Sequence, residues 1–134
     1  MIDVRLEKSG VSAAWVKRLA DRTLKAEKSS KSLSILITGD REIRKINKKF
    51  LKHDYATDVI SFPTGDIVAS AETARRFSKK LGISFREELA RYVVHGTLHL
   101  LGYDDKNEID HRRMHARQEQ ILAKVLGRGS MGRR

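Results

Sequence analysis

A chain of 134 residues, 40% hydrophobic and 34% charged, has the size of one domain and can bury roughly two-thirds of its unfolded surface. Lys and Arg outnumber Asp and Glu 28 to 17, a net charge of +11 that favours a polyanionic partner, most often nucleic acid, over a merely well-solvated surface. Cysteine is absent, which excludes disulfides and thiolate metal sites, and no apolar run reaches membrane-spanning length.

Met1 to Glu7 alternates and carries acids early, unlike a signal peptide, so a cytoplasmic location and no membrane partner are expected. Ile2, Val4 and Leu6 predict a short half-buried strand. Ser12 to about Lys28 reads as a helix with Trp15, Leu19 and Leu24 inward, followed by a polar break at Ser29–Ser32. Leu33 to Ile37 is richer in apolar residues and predicts a more central strand. Asp40 is suited to cap the next helix, whose apolar face carries Ile43, Ile46 and Phe50. Arg41, Lys45, Lys48, Lys49 and Lys52 gather on the opposite face, either as a solvated face or as a polyphosphate-binding surface.

Asp58–Pro63 and Asp66–Ala69 predict two strands joined by a turn around Pro63-Thr64-Gly65, with Pro63 closing a strand or lying on an edge. A short helix from about Glu72 to Lys80 is stopped by Gly82. Ser84 and Glu87 have the form of a capping box and open a long helix that carries Leu89, Val93, His95 and His99. Asn107 is suited to cap a last helix with Ile109, Met114, Ile121, Leu122 and Val125 as apolar positions. The glycine- and arginine-rich end, residues 127–134, is expected to be a disordered basic tail, leaving 1–126 as the domain. The elements describe an α+β fold, a sheet with helices packed on it.

The densest chemistry lies in His95-Gly96-Thr97-Leu98-His99-Leu100-Leu101-Gly102-Tyr103-Asp104-Asp105. Two histidines four apart on a helix are about 40° apart around its axis and one turn apart along it, so both imidazoles reach one metal ion. Gly102 suits a helix end, and a chain that reverses there returns Asp105 as a third, oxygen ligand. Three protein ligands with one open position are the arrangement of a catalytic zinc. The bare histidine pair also occurs as two solvated or core-edge side chains. A His-Glu-x-x-His metalloprotease needs a glutamate general base where this chain has Gly96, which disfavours peptide hydrolysis. Asp104 is either a base or ligand-supporting carboxylate, or a turn residue with Gly102 and Tyr103. His111 and His115 form a second i, i+4 pair amid Arg112, Arg113 and Arg117, more like a basic surface; His111 is the reserve ligand should Asp105 point away.

The metal segment, the stretch Ile46-Asn47-Lys48-Lys49-Phe50 leading to Thr57-Asp58-Val59-Ile60-Ser61-Phe62-Pro63, and Gly65-Asp66-Ile67-Val68 occur in the order found in the YbeY family, which this chain resembles from about Leu33 to Leu126. That resemblance implies a zincin-like single domain with a mixed four-stranded sheet, about five helices, and a cleft between the zinc and an edge strand. It implies one Zn²⁺ and an endoribonuclease of ribosomal RNA maturation, with RNA (ribosomal RNA or the small ribosomal subunit) as partner and no DNA specificity. Asn47 and Asp58 match positions that line or support the family's cleft, although Asn47 on its own reading only braces the neighbouring loop. The chain departs from the family at Asp105, where the family's third ligand is histidine. A carboxylate there makes Mn²⁺ an alternative. Leu51 stands where the family carries an arginine, and Ala56 where it usually has proline. These departures are expected to lower catalytic strength more than to alter the fold. The competing reading is an RNA-binding ribosome-assembly factor with a structural metal.

Overall fold

The computed structural model describes residues 1–127, so the expected disordered tail, apart from Gly127, lies outside the described residues. The alternating and apolar runs become β1 (Ile2–Leu6), β2 (Leu33–Thr38), β3 (Val59–Ser61) and β4 (Asp66–Ser70). The helical patterns become α1 (Ala13–Ala26), α2 (Asp40–Leu51), α3 (Ala71–Leu81), α4 (Phe85–Leu100) and α5 (Glu108–Val125). The strands form one sheet in the order β1-β2-β4-β3. β1 and β4 run parallel to β2, while β3 pairs antiparallel with β4 as an edge strand. The expectation of a mixed four-stranded sheet with five helices is met, and β2 is interior.

Because successive strand residues point to opposite faces, β2 and β4 feed two cores. Ile35, Ile37, Ile67 and Ala69 join Leu19, Leu89, Val93, Leu98 and Leu122 under α1, α4 and α5. Val68 and Ile60 meet Ile43 on the other face, beneath α2. The chain is thus helix on sheet on helix, with α4 against β3 and β4.

Helix starts follow their caps. Ser12, Ser70, Ser84 and Asn107 accept hydrogen bonds from the backbone N–H three residues on. Asp40 differs from expectation: Gly39 is the cap and Asp40 is the first helical residue. Its carboxylate accepts from Ser70 and Thr73 and pairs with Arg76, while its own N–H donates to Glu72 at 2.7 Å. α3 therefore supplies the side chain that α2's start requires.

Two apolar assignments also change. Ile109 is 62% exposed because it lies about 140° around the helix from Met114, off the buried stripe. Phe50 is 60% exposed; it lies in the last turn of α2, where its ring meets that of Phe62 edge-on at 5.7 Å.

Candidate metal centre

α4 packs directly against β3 and β4 at Gly96, which has no side chain. A Cβ built there would come within 2.9 Å of Ile67 Cγ2 and 3.2 Å of Val59 Cγ2, and Ser61 Oγ donates to the Gly96 carbonyl at 3.1 Å. The glycine that removes the protease base thus also seats the histidine helix against β3 and β4. Gly96→Ala is expected to destabilise the protein by about 1–3 kcal/mol through overpacking, read from the denaturation midpoint. An unchanged midpoint would mean that the contact yields freely.

α4 then ends in a Schellman motif. Gly102, at φ +102°, donates its N–H to the His99 carbonyl, and Tyr103 N–H donates to the Leu98 carbonyl. The reversal returns the chain toward the histidines, and Asp105 Oδ2 stands 3.6 Å from His99 Nε2. One nitrogen of each imidazole and a carboxylate oxygen of Asp105 lie within 4.8 Å of one another. The rings of His95 and His99 sit edge to face, with centroids 4.7 Å apart. Two imidazoles and a carboxylate form a donor set suited to a divalent ion, and this group can hold one.

The outer nitrogens decide which inner nitrogens are free. Gln118 Nε2 donates to Glu119 Oε2 at 3.0 Å, which turns Gln118 Oε1 toward His95 Nδ1 at 2.8 Å. That oxygen can only accept, so His95 carries its proton on Nδ1 and leaves Nε2 as a lone pair. His99 Nδ1 meets the Tyr103 carbonyl at 3.1 Å with the same result. Burial pushes the pKa of His95 below its ordinary value of 6.5 despite the opposing Gln118 bond, which favours the neutral form that a ligand must take.

Gln118 was not singled out from sequence. Its only signal is an amide within the apolar stripe of Met114, Ile121 and Leu122, where it is 4% exposed. Gln118→Leu is expected to weaken metal binding about 10- to 100-fold, the usual effect of removing a partner that orients a ligand. Competition against a chelator measures this, and unchanged affinity would leave Gln118 a purely structural role.

The cluster opens into a cleft against β3, the edge strand. One lobe, about 740 Å³, is lined by His95, His99 and Asp105 with Asn47, Leu51, Asp58 and Ser61. A second lobe of about 470 Å³ shares Asp58, Val59 and His95 and adds His111, Arg112, His115 and Gln118. His111 stacks beside His115, centroids 6.5 Å apart, outside the three-residue group; Asp105 faces the histidines and the reserve is not drawn in. Asp104 is outside it too: its Oδ1 accepts from Lys106 N–H at 2.9 Å in the turn that precedes α5. Asp58 accepts from Val59 N–H at 2.7 Å. Asn47 is buried and donates to the Tyr55 carbonyl at 2.9 Å.

Arg41, Lys45, Lys48, Lys49 and the capping Lys52 are all exposed. Lys48 shares Asp54 with Arg44, at 3.8 and 2.9 Å, Lys49 lies 5.3 Å over the Phe50 ring, and Lys52 ends the helix in the left-handed conformation. Arg41 sits at the opposite end of the helix, beside Glu7 and Glu42, away from the cluster. Leu51 does reach the cleft, so the position where the resemblance implies arginine faces the site without a charge.

Residues 2–126 match the sequence profile of the family described as endoribonuclease YbeY. Relatives bearing that name include one from Aquifex aeolicus, 37% identical over 91% of this chain and 89% of its own. Another, from Syntrophotalea carbinolica, is 35% identical over 92% and 93%. The Myxococcus xanthus relative is 42% identical over 72% of this chain, which spans only 37% of that longer protein; for the Anaeromyxobacter sp. relative the share is 54%. The solution structure of a Thermotoga maritima protein superposes with a TM-score of 0.71 at 25% identity, covering 92% of this chain and 89% of the other.

Proposed function

The chain belongs to the YbeY family, and from that premise we propose that it is a metal-dependent endoribonuclease that hydrolyses RNA phosphodiester bonds in the maturation of ribosomal RNA. Its expected place of work is the cytoplasm, on ribosomal RNA or the small ribosomal subunit. Among the described residues no helix is long and apolar enough to cross a membrane. The observation that carries the reading is the group of His95, His99 and Asp105 set in a cleft against the edge strand.

These three residues would hold one Zn²⁺, with Mn²⁺ the alternative that a carboxylate ligand admits. A bound divalent ion polarises a phosphoryl oxygen or lowers the pKa of a water. The protein supplies the rest. Gln118 and the Tyr103 carbonyl fix both imidazoles in the tautomer that offers Nε2. Asp104 closes the turn that presents Asp105. Asp58 and Asn47 shape the wall opposite, and Lys48, Lys49 and Lys52, with Lys45 and Arg41 farther along α2, supply positive potential for the RNA backbone.

The test is cleavage of single-stranded RNA by the purified chain with Zn²⁺, with Mn²⁺ and with chelator, for wild type and His99→Ala. Cleavage that needs the ion and His99 supports the reading; cleavage indifferent to both overturns it. The pH profile adds a sign. Ligation needs neutral imidazoles, so cleavage and metal content are expected to fall together at acid pH, and burial, which lowers the pKa of His95, moves that fall below the ordinary imidazole range. Cleavage that persists at acid pH after the metal has been lost would remove the histidines from the mechanism.

Leu51 in the cleft wall favours one second reading, a non-catalytic RNA-binding factor of ribosome assembly. In that case Arg41, Lys45 and Lys48 substitutions abolish function and His99→Ala does not.

A further inference from the structure

Between α2 and β3 lie two aromatic rings that the cleavage centre leaves unused. His53 and Tyr55 are stacked, with centroids 5.4 Å apart and planes 11° from parallel, and the Tyr55 hydroxyl is hydrogen-bonded to His53 Nδ1 at 3.2 Å. Both rings line the same lobe as His95, His99 and Asp105, yet Tyr55 is 55% exposed. The segment is held from behind by α2. The side chain of buried Asn47 donates Nδ2 to the Tyr55 carbonyl at 2.9 Å, its backbone carbonyl accepts from His53 N–H at 3.2 Å, and Arg44 grips Asp54 at 2.9 Å. His53, Asp54 and Tyr55 are thus anchored by polar bonds while the two rings stay exposed.

We infer that the His53–Tyr55 pair is a stacking platform for one unpaired base of the RNA strand in the cleft. The inference takes its ligand from the endoribonuclease reading and adds a site to it. An exposed aromatic face accepts any base through its π surface, and the base has to be splayed out of a helix to reach it. Leu51 and Pro63 in the lobe wall suit a flat apolar ligand better than a phosphate. The charge complement lies alongside: Lys48 and Lys49 stand in the last turn of α2 and Lys52 caps it, where the sugar–phosphate backbone of a base so placed would run. Asn47 becomes the positioning residue of this platform.

The experiment measures binding of a short single-stranded oligoribonucleotide, the same strand with abasic positions, and a matched duplex. It uses the full chain, both metal-loaded and in chelator, so binding is read whether or not cleavage occurs. Tyr55→Ala is expected to weaken binding of the single strand about 5- to 100-fold and to leave the abasic strand and the duplex unchanged. Tyr55→Trp is expected to retain affinity and to show emission quenched by the single strand, over the background of Trp15. Equal affinity of Tyr55→Ala and wild type for the single strand overturns the inference, as does an equal loss toward the abasic strand. If the wild type never cleaves RNA but Tyr55-dependent binding persists in chelator, the platform stands and the nuclease reading fails.

Discussion

Asp105→Ala is expected to weaken divalent-metal binding by more than about 100-fold, since even a partner one bond removed from a metal accounts for 10- to 100-fold and Asp105 supplies a donor atom itself. The residue stands on the turn after Gly102, with Oδ2 3.6 Å from His99 Nε2, and without it the two imidazoles of α4 remain as a bidentate site. Asp105 is exposed, in the segment between α4 and α5, so the fold is expected to persist, with circular dichroism unchanged. Asp105→His places there the histidine that the resemblance implies and is expected to bind Zn²⁺ while disfavouring Mn²⁺, because an imidazole is softer than a carboxylate. Asp105→Asn keeps the shape and removes the charge, which separates coordination by an anion from mere packing. Metal content after dialysis and chelator competition together measure all three. One zinc per chain in Asp105→Ala, held as tightly as in the wild type, would show that another group supplies the third ligand; His111 and Asp58 line the cleft beside His95.

The group of His95, His99 and Asp105 was legible because the information is local. An i, i+4 histidine pair, a glycine two residues past the helix and a carboxylate three beyond it specify a helix, its end and a return within eleven residues. What surrounds them was not local. Gln118 reaches His95 from another helix, and no period within α5 distinguishes an amide that orients a ligand from one tolerated in a core. Asp40 was misplaced as a cap for a related reason, since Glu72 of α3 binds its N–H from outside the helix. The strands were found, but the insertion of β4 between β2 and β3 is a tertiary choice that turns the two-strand hairpin into the wall of the cleft. Lys48 looked like part of a free cationic stripe until Asp54 folded back onto it.

The largest effect on stability is expected from Arg91→Met, about 3–5 kcal/mol, the range for removing one partner of a buried ion pair. Arg91 is 2% exposed and binds three carboxylates. Its Nε and Nη2 fork onto Glu119 at 2.9 Å each, while Nη1 meets Glu88 and Nη2 meets Glu87, both at 3.1 Å. Burial alone would push the guanidinium toward losing its proton, but the carboxylates outweigh it and raise its pKa. Burial likewise raises the Glu119 carboxyl, and the bonds from Arg91 and Gln118 bring it below its ordinary value. The sign with pH follows. In the wild type the contribution of Glu119 is present above its unfolded pKa and is lost as pH falls through the depressed folded value. In Arg91→Met the Glu119 carboxylate loses its cation inside the protein, its pKa rises from the depressed value, and protonation relieves the variant. Denaturant midpoints measured from pH 7 to pH 4 should therefore converge; parallel or diverging curves would show that the loss is one of packing rather than charge. Arg91→Lys is expected to recover little, because an ammonium cannot fork onto Glu119. The consequence reaches the metal centre through two bonds. Glu119 holds Gln118, and Gln118 holds the tautomer of His95, so a folded Arg91→Met protein at low denaturant is expected to bind metal more weakly even though no ligand has changed. Unaltered metal affinity in that variant would show that Gln118 keeps its orientation without Arg91, and would confine the ion cluster to joining α4 to α5.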